Sequence, residues 1–147
     1  MVHARLLQWH LYYGSNGSTL KAFPITNTPD VHVAPSPSSQ SATSFQYPGP
    51  TPGISASGTS NGIVWAVENS NPAVLHAYDA TNLAHELYNS TQAGSRDGFG
   101  PGNKFITPTV VNGRVFVGTQ TGVAVFGSLN LLAPAPPTNF RIVPGGS

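Results

Sequence analysis

The sequence predicts an all-β fold built from repeated antiparallel units. Three observations carry that expectation. First, the 147 residues include 16 Gly and 14 Pro, the residues that supply positive φ and preset φ at turn corners. Second, charged residues are only 7% of the chain, against roughly 25% in an average globular protein. Third, stretches such as ITPTVVNGRVFVGTQTGVAVFG, residues 106–127, read as strand, turn, strand, turn, strand with no helical period.

The elements follow in order. RLLQWHLYYG, from Arg5, is expected to form one arm of a hairpin, with TLKAFPI as the other and Asn16-Gly17 as the tight turn between them. In that second arm Leu20, Ala22 and Ile25 oppose Lys21 and Phe23, and Pro24 places the strand at an edge or at its own end. Residues 27–40 read as a long surface loop, and SATSFQY, residues 41–47, as a short outer strand. ISAS is a short strand before a turn at Gly58–Gly62, and GIVWAVE is a buried strand with a near-continuous apolar run. NSNPA is a turn, VLHAYDA the next strand, and TNLAHELYNS leads into another. AGSRDGFGPGNKF, residues 93–105, is a Gly-rich loop. TPTVV, RVFVGT and VAVFG are the last strands, separated by Asn112-Gly113 and by QTG. The remainder, residues 129–147, reads as a Pro-rich linker into a truncated following module.

Composition excludes several classes. The formal net charge is +1 with no basic run, so no stripe exists to neutralise a phosphate backbone, and nucleic acid is not an expected partner. Cysteine is absent, which removes disulfides, thiolate zinc sites and thiol nucleophiles. No apolar run approaches the ~20 residues of a membrane span, and MVHARLLQWHLYYG is not a secretory signal, because Gln8 and His10 break its apolar stretch.

Three segments lie over one another: LYYGSNGSTLKAFPI, GIVWAVENSNPAVLHAYDA and GRVFVGTQTGVAVFG. Tyr12, Trp65 and Phe116 hold equivalent places, at intervals of 53 and 51 residues. Phe23, Tyr78 and Phe126 close the second strands. Self-similarity at about 50 residues with strands throughout is a propeller signature. A four-stranded sheet buries neither face alone, so such sheets stack and bury each other.

On these residues the chain resembles the repeat of pyrroloquinoline-quinone-type β-propellers, the quinoprotein alcohol-dehydrogenase-like group. VLHAYDATNLAHELYNS looks like that family's repeat ending, of the form Ala-x-Asp-Ala-x-Thr-Gly followed by a docking Trp. Ala77, Asp79 and Ala80 match; Asn82-Leu83 replace Thr-Gly, and Tyr88 replaces the Trp one residue late. The resemblance gives Asp79 a structural role, as an acceptor of backbone N–H groups in the turn. It spans about residues 5–128. It implies a partial propeller of two to three four-stranded blades, at about 5–48, 51–92 and 105–127, in residues 1–128. The first blade is expected to lack its innermost strand and the last its outermost. Propellers typically have at least four blades, so an open arc is expected, whose partners are the remaining blades of a longer chain; pairing of arcs into an oligomer is the less favoured arrangement. The tail APAPPTNFRIV is similar to the opening strand of a fibronectin type III domain, which fits an extracytoplasmic bacterial protein whose signal lies outside this chain.

No residue is marked as catalytic. The five His show no HExxH or 2-His-1-carboxylate spacing, and no carboxylate pair stands out for glycoside chemistry. GSRDGFGPGNK lacks the P-loop pattern and the calcium-loop spacing. Its Arg96, Asp97, Asn103 and Lys104 form the first-choice ligand cluster, because they share a loop. Asn16-Gly17-Ser18 and Asn89-Ser90-Thr91 match the glycosylation acceptor pattern. Trp65 is expected between blades as core. The resemblance places a quinone and calcium only on the axis of a complete propeller, so no cofactor is expected in this chain. The expected function is a noncatalytic scaffold or binding segment. The alternatives are a fragment of a quinone-dependent dehydrogenase with its catalytic residues elsewhere, and a stand-alone β-sandwich carbohydrate-binding module.

Overall fold

A computed structural model describes residues 5–127. Within them lie three antiparallel sheets, none closed on itself, and no α-helix. Sheet 1 holds β1 (Arg5–Leu7), β2 (His10–Tyr13), β3 (Ser18–Thr26), β4 (His32–Val33) and β5 (Ser39–Phe45). Its order is β1-β2-β3, with β5 and the two-residue β4 both on β3. Sheet 2 runs β6 (Gly53–Ser57), β7 (Ser60–Glu68), β8 (Val74–Asp79), β9 (Asn82–Asn89), and sheet 3 runs β10 (Thr109–Val111), β11 (Arg114–Gly118), β12 (Val123–Phe126). The expected linker and fibronectin-like start lie outside the described residues.

The all-β expectation holds, with corrections in detail. RLLQWHLYYG is not one strand. Gln8 and Trp9 take left-handed φ of 48° and 60° and fold β1 back on β2, pairing Leu6 with Leu11. Sheet 1 therefore has an edge strand before β2 that the sequence does not signal, since neither Gln nor Trp is a signal for two consecutive positive φ values. In the Asn16-Gly17 turn only Gly17 has positive φ, at 69°, whereas Asn112-Gly113 has both, at 50° and 71°. Pro24 does not end its strand. It sits where β3 exchanges β5 for β4 as neighbour, so its missing N–H interrupts no continuous ladder.

Strand alternation gives each sheet two faces. One row reads Leu6–Leu11–Phe23 in sheet 1, Ile54–Val64–Tyr78 in sheet 2 and Val110–Val115–Phe126 in sheet 3. We call the face bearing it the back face. The row on the opposite, forward face is Tyr12–Ala22, Gly53–Trp65–Ala77 and Thr109–Phe116–Val125. The aromatics aligned in the sequence thus occupy one structural position.

Sheet 2 is packed on both sides. Tyr12, Leu20, Ala22 and Phe45 of sheet 1 meet Val64, Ala66 and Tyr78 of sheet 2, with Ala80 and Leu83 beside them. On the other side Val67 and Leu75, with Trp65, meet Val115, Val117, Ala124 and Phe126 of sheet 3. Two bonds tie sheets 1 and 2: Tyr12 Oη donates to the Ala80 carbonyl at 2.7 Å, and the Leu83 N–H donates to Ser39 Oγ at 3.1 Å. Gly53 lets sheet 3 approach closely, because a Cβ there would overlap the Pro108 carbonyl oxygen.

A β-bulge at Leu20 breaks the β3–β5 ladder. The Leu20 N–H donates instead to buried Ser41 Oγ at 3.0 Å. Sheet 2 repeats the device, with the Leu75 N–H donating to buried Ser90 Oγ at 3.1 Å. In sheets 1 and 2 alike, a serine in or just beyond the last strand of the sheet in sequence satisfies a backbone donor that would otherwise be buried alone.

Candidate functional site

A cleft of about 1100 Å³ lies between the forward face of sheet 2 and the back face of sheet 3. It exists because the two sheets pack through Val67, Leu75, Val115 and Val117 but diverge toward the β6–β7 and β10–β11 turns. Trp65, Phe99 and Phe126 give it an aromatic lining. Phe99 meets Phe126 edge to face, with ring centroids 5.6 Å apart at 87°, and Trp65 Nε1 donates to Ser55 Oγ at 2.9 Å. Trp65 is thus both core between sheets and wall of the cleft.

The polar lip comes from the Gly-rich loop. A single 3-10 turn, Gly94–Asp97, aims Arg96 and Asp97 at the cleft. Arg96 donates to Asp97 through Nε at 2.7 Å and Nη2 at 2.9 Å, and Tyr88 Oη donates to Asp97 Oδ2 at 2.6 Å. The Arg96 guanidinium and the Tyr88 hydroxyl hold the Asp97 carboxyl down at about 2. Burial, with Asp97 beside it, pushes the Tyr88 phenol up to about 12. Neither group changes protonation near neutrality, so neither is suited to general acid–base work. The lip offers hydrogen bonds whose charges are already paired, above an aromatic slot. That suits binding better than chemistry.

The four residues chosen from this loop do not form one cluster. Arg96 and Asp97 line the cleft. Lys104 lies elsewhere, with Nζ 5.2 Å from the Tyr47 ring centroid, and Asn103 Oδ1 accepts from the Lys104 N–H at 3.1 Å. Sharing a loop brought them close in sequence, and the stretch that leaves the 3-10 turn in extended conformation at Gly98 and passes through a positive φ of 82° at Gly100 separates them.

A second polar group lies at the junction of sheets 1 and 2. His76, 5% exposed, lies between two carboxylates: Nδ1 is 2.6 Å from Glu86 Oε1 and Nε2 is 3.3 Å from Glu68 Oε2. Asn89 Nδ2 donates to Glu86 Oε2 at 2.9 Å, which engages the amide of one glycosylation pattern. The imidazole stacks on Tyr78 at 5.8 Å and meets the edge of Phe45 at 5.6 Å. Both ring nitrogens are occupied by protein oxygens, so none is left for a substrate. Glu68, His76 and Tyr78 share the back face of sheet 2 by alternation, which is the signal that was available. The link to Glu86 crosses a bulge in the β8–β9 ladder and was not legible. His85, adjacent in sequence to Glu86, instead approaches Asp79 at 3.7 Å.

Asp79 Oδ1 accepts from the Thr81 N–H at 2.8 Å and from Thr81 Oγ1 at 2.7 Å. These bonds hold its carboxyl below the usual range and bind it to the β8–β9 turn. Among the described residues no three His, Cys, Asp or Glu side chains are arranged to hold a metal ion, and no helix is long and apolar enough to cross a membrane. No family model, curated protein or solved structure matches the chain.

Proposed function

We propose that this chain is a noncatalytic scaffold or binding segment of an extracytoplasmic β-propeller of the pyrroloquinoline-quinone-like repeat type. The supporting observation is the threefold recurrence of one register. The back-face and forward-face rows repeat in sheets 1, 2 and 3, and each face that meets a neighbour does so through the same positions. That is how stacked blades bury one another. The cleft supplies a binding surface whose charged groups pair with each other, which favours recognition over catalysis. A quinone and calcium belong, in this reading, to a completed ring and not to these residues.

Sequencing the reading frame on either side of residues 1–147 tests the proposal. Further repeats with the same aromatic spacing are expected. Stop codons closely bracketing the chain would sink it, as would tight binding of pyrroloquinoline quinone by this chain alone.

A further inference from the structure

The aligned rows of the three sheets correspond position by position, but their exposure does not. Leu20 and Leu75 sit two residues before the forward-row residues Ala22 and Ala77, and both are 0% exposed. Their counterpart in sheet 3, Val123, is 63% exposed, and the forward-row Val125 is 54% exposed. Phe116, between them and β10, holds the position at which Tyr12 is buried. The forward face of sheet 3 is therefore built like two faces that are covered, and is itself bare.

The complementary bareness lies at the other end. The back row of sheet 2, Ile54–Val64–Tyr78, receives sheet 1, and that of sheet 3, Val110–Val115–Phe126, receives sheet 2. The same row in sheet 1, Leu6–Leu11–Phe23, meets no sheet among the described residues, and Leu6 is 62% exposed. One chain thus carries both halves of an interface that it already makes twice internally.

We propose that copies of this chain associate head to tail, the forward face of sheet 3 docking on the back face of sheet 1 in a second copy. The contact is heterologous, so it propagates into rings or open assemblies rather than stopping at a symmetric dimer. The strand residues of the two faces carry one cation each, Arg114 and Lys21, and no carboxylate. Salt screens their repulsion, so association strengthens with ionic strength. The inference rests on the register correspondence, not on the propeller reading, and a monomeric chain would overturn it while leaving that reading intact.

The test uses sedimentation of the full chain with two variants, Val125→Asp on the forward face and Leu6→Asp on the back face. Both side chains are exposed, so far-UV spectra, and unfolding midpoints at concentrations where the parent is monomeric, are expected to stay unchanged. The unaltered chain should gain mass with concentration and with salt, and each variant alone should be a monomer. An equimolar mixture should form a dimer of twice the monomer mass and nothing larger, because it holds one live pair of faces: sheet 3 of the Leu6→Asp chain against sheet 1 of the Val125→Asp chain. A strictly monomeric parent chain overturns the proposal. So does a mixture that stays monomeric, or a variant that still self-associates.

Discussion

His76 and Glu86 make a 2.6 Å contact, Nδ1 to Oε1, at the buried junction of sheets 1 and 2. Glu68 holds the opposite nitrogen at 3.3 Å, so the imidazole links β7, β8 and β9 across one face. Removing it leaves two carboxylates facing each other over a void, although each is about a third open to water and only partly desolvated. His76→Ala is expected to cost about 3 kcal/mol of unfolding free energy. Glu86→Gln, which keeps a hydrogen-bonding oxygen, should cost less. Urea unfolding at neutral pH measures both; equal midpoints for parent and His76→Ala would show that the cluster does not stabilise the fold.

Ser41 and Ser90 do the same work in sheets 1 and 2, each accepting from a buried leucine N–H. Ser41→Ala and Ser90→Ala each leave such a donor unpaired, and each is expected to cost about 1–2 kcal/mol. Replacement by Thr keeps the acceptor but adds a methyl to a buried site. The matching size of the two Ala effects, read from denaturant midpoints, is the repeat expressed as energy.

Gly53 allows the Pro108 carbonyl to lie against β6. Gly53→Ala forces that backbone away, at a cost of about 1–3 kcal/mol. The shift separates sheets 2 and 3 at the cleft. Trp65 fluorescence should therefore become more accessible to a neutral quencher in this variant, while Gly17→Ala, with nothing within 4 Å of its new Cβ but a φ of 69°, should destabilise without that change.

Asp97 and Tyr88 predict opposite pH limbs. The Asp97 carboxyl is held at about 2, below the ordinary carboxylate value of 3.8. Its contribution to stability is complete above that value and is lost as pH falls through about 2. The Tyr88 phenol is raised to about 12 from 10.0, so its contribution is present below 10.0 and lost as pH climbs toward 12. Asp97→Asn should flatten the acid limb of stability against pH. Tyr88→Phe should remove one late-titrating phenol from the ultraviolet titration and soften the acid limb as well. An unchanged acid limb in both variants would separate Asp97 from acid unfolding.

Strands and turns were legible because they are local. The near-continuous apolar run of GIVWAVE, the turn at Asn112-Gly113 and the recurring Tyr12, Trp65 and Phe116 depend on neighbours within a few residues or on a comparison of like with like. The β1–β2 turn was hidden because Gln8 and Trp9 carry no left-handed signature, and their φ values are imposed by the pairing of Leu6 with Leu11 and Leu7 with His10. Bulges erased the rest. Each shifts the count of residues between facing side chains, so no spacing in the sequence announces that His76 meets Glu86, or that Leu20 needs Ser41. The sequence by itself determined the all-β class, most of the strands and their repeat. Tertiary structure alone decided which loop residues reach the cleft, which charges pair there, and which two apolar faces are left bare, because those outcomes depend on how far apart whole sheets come to rest.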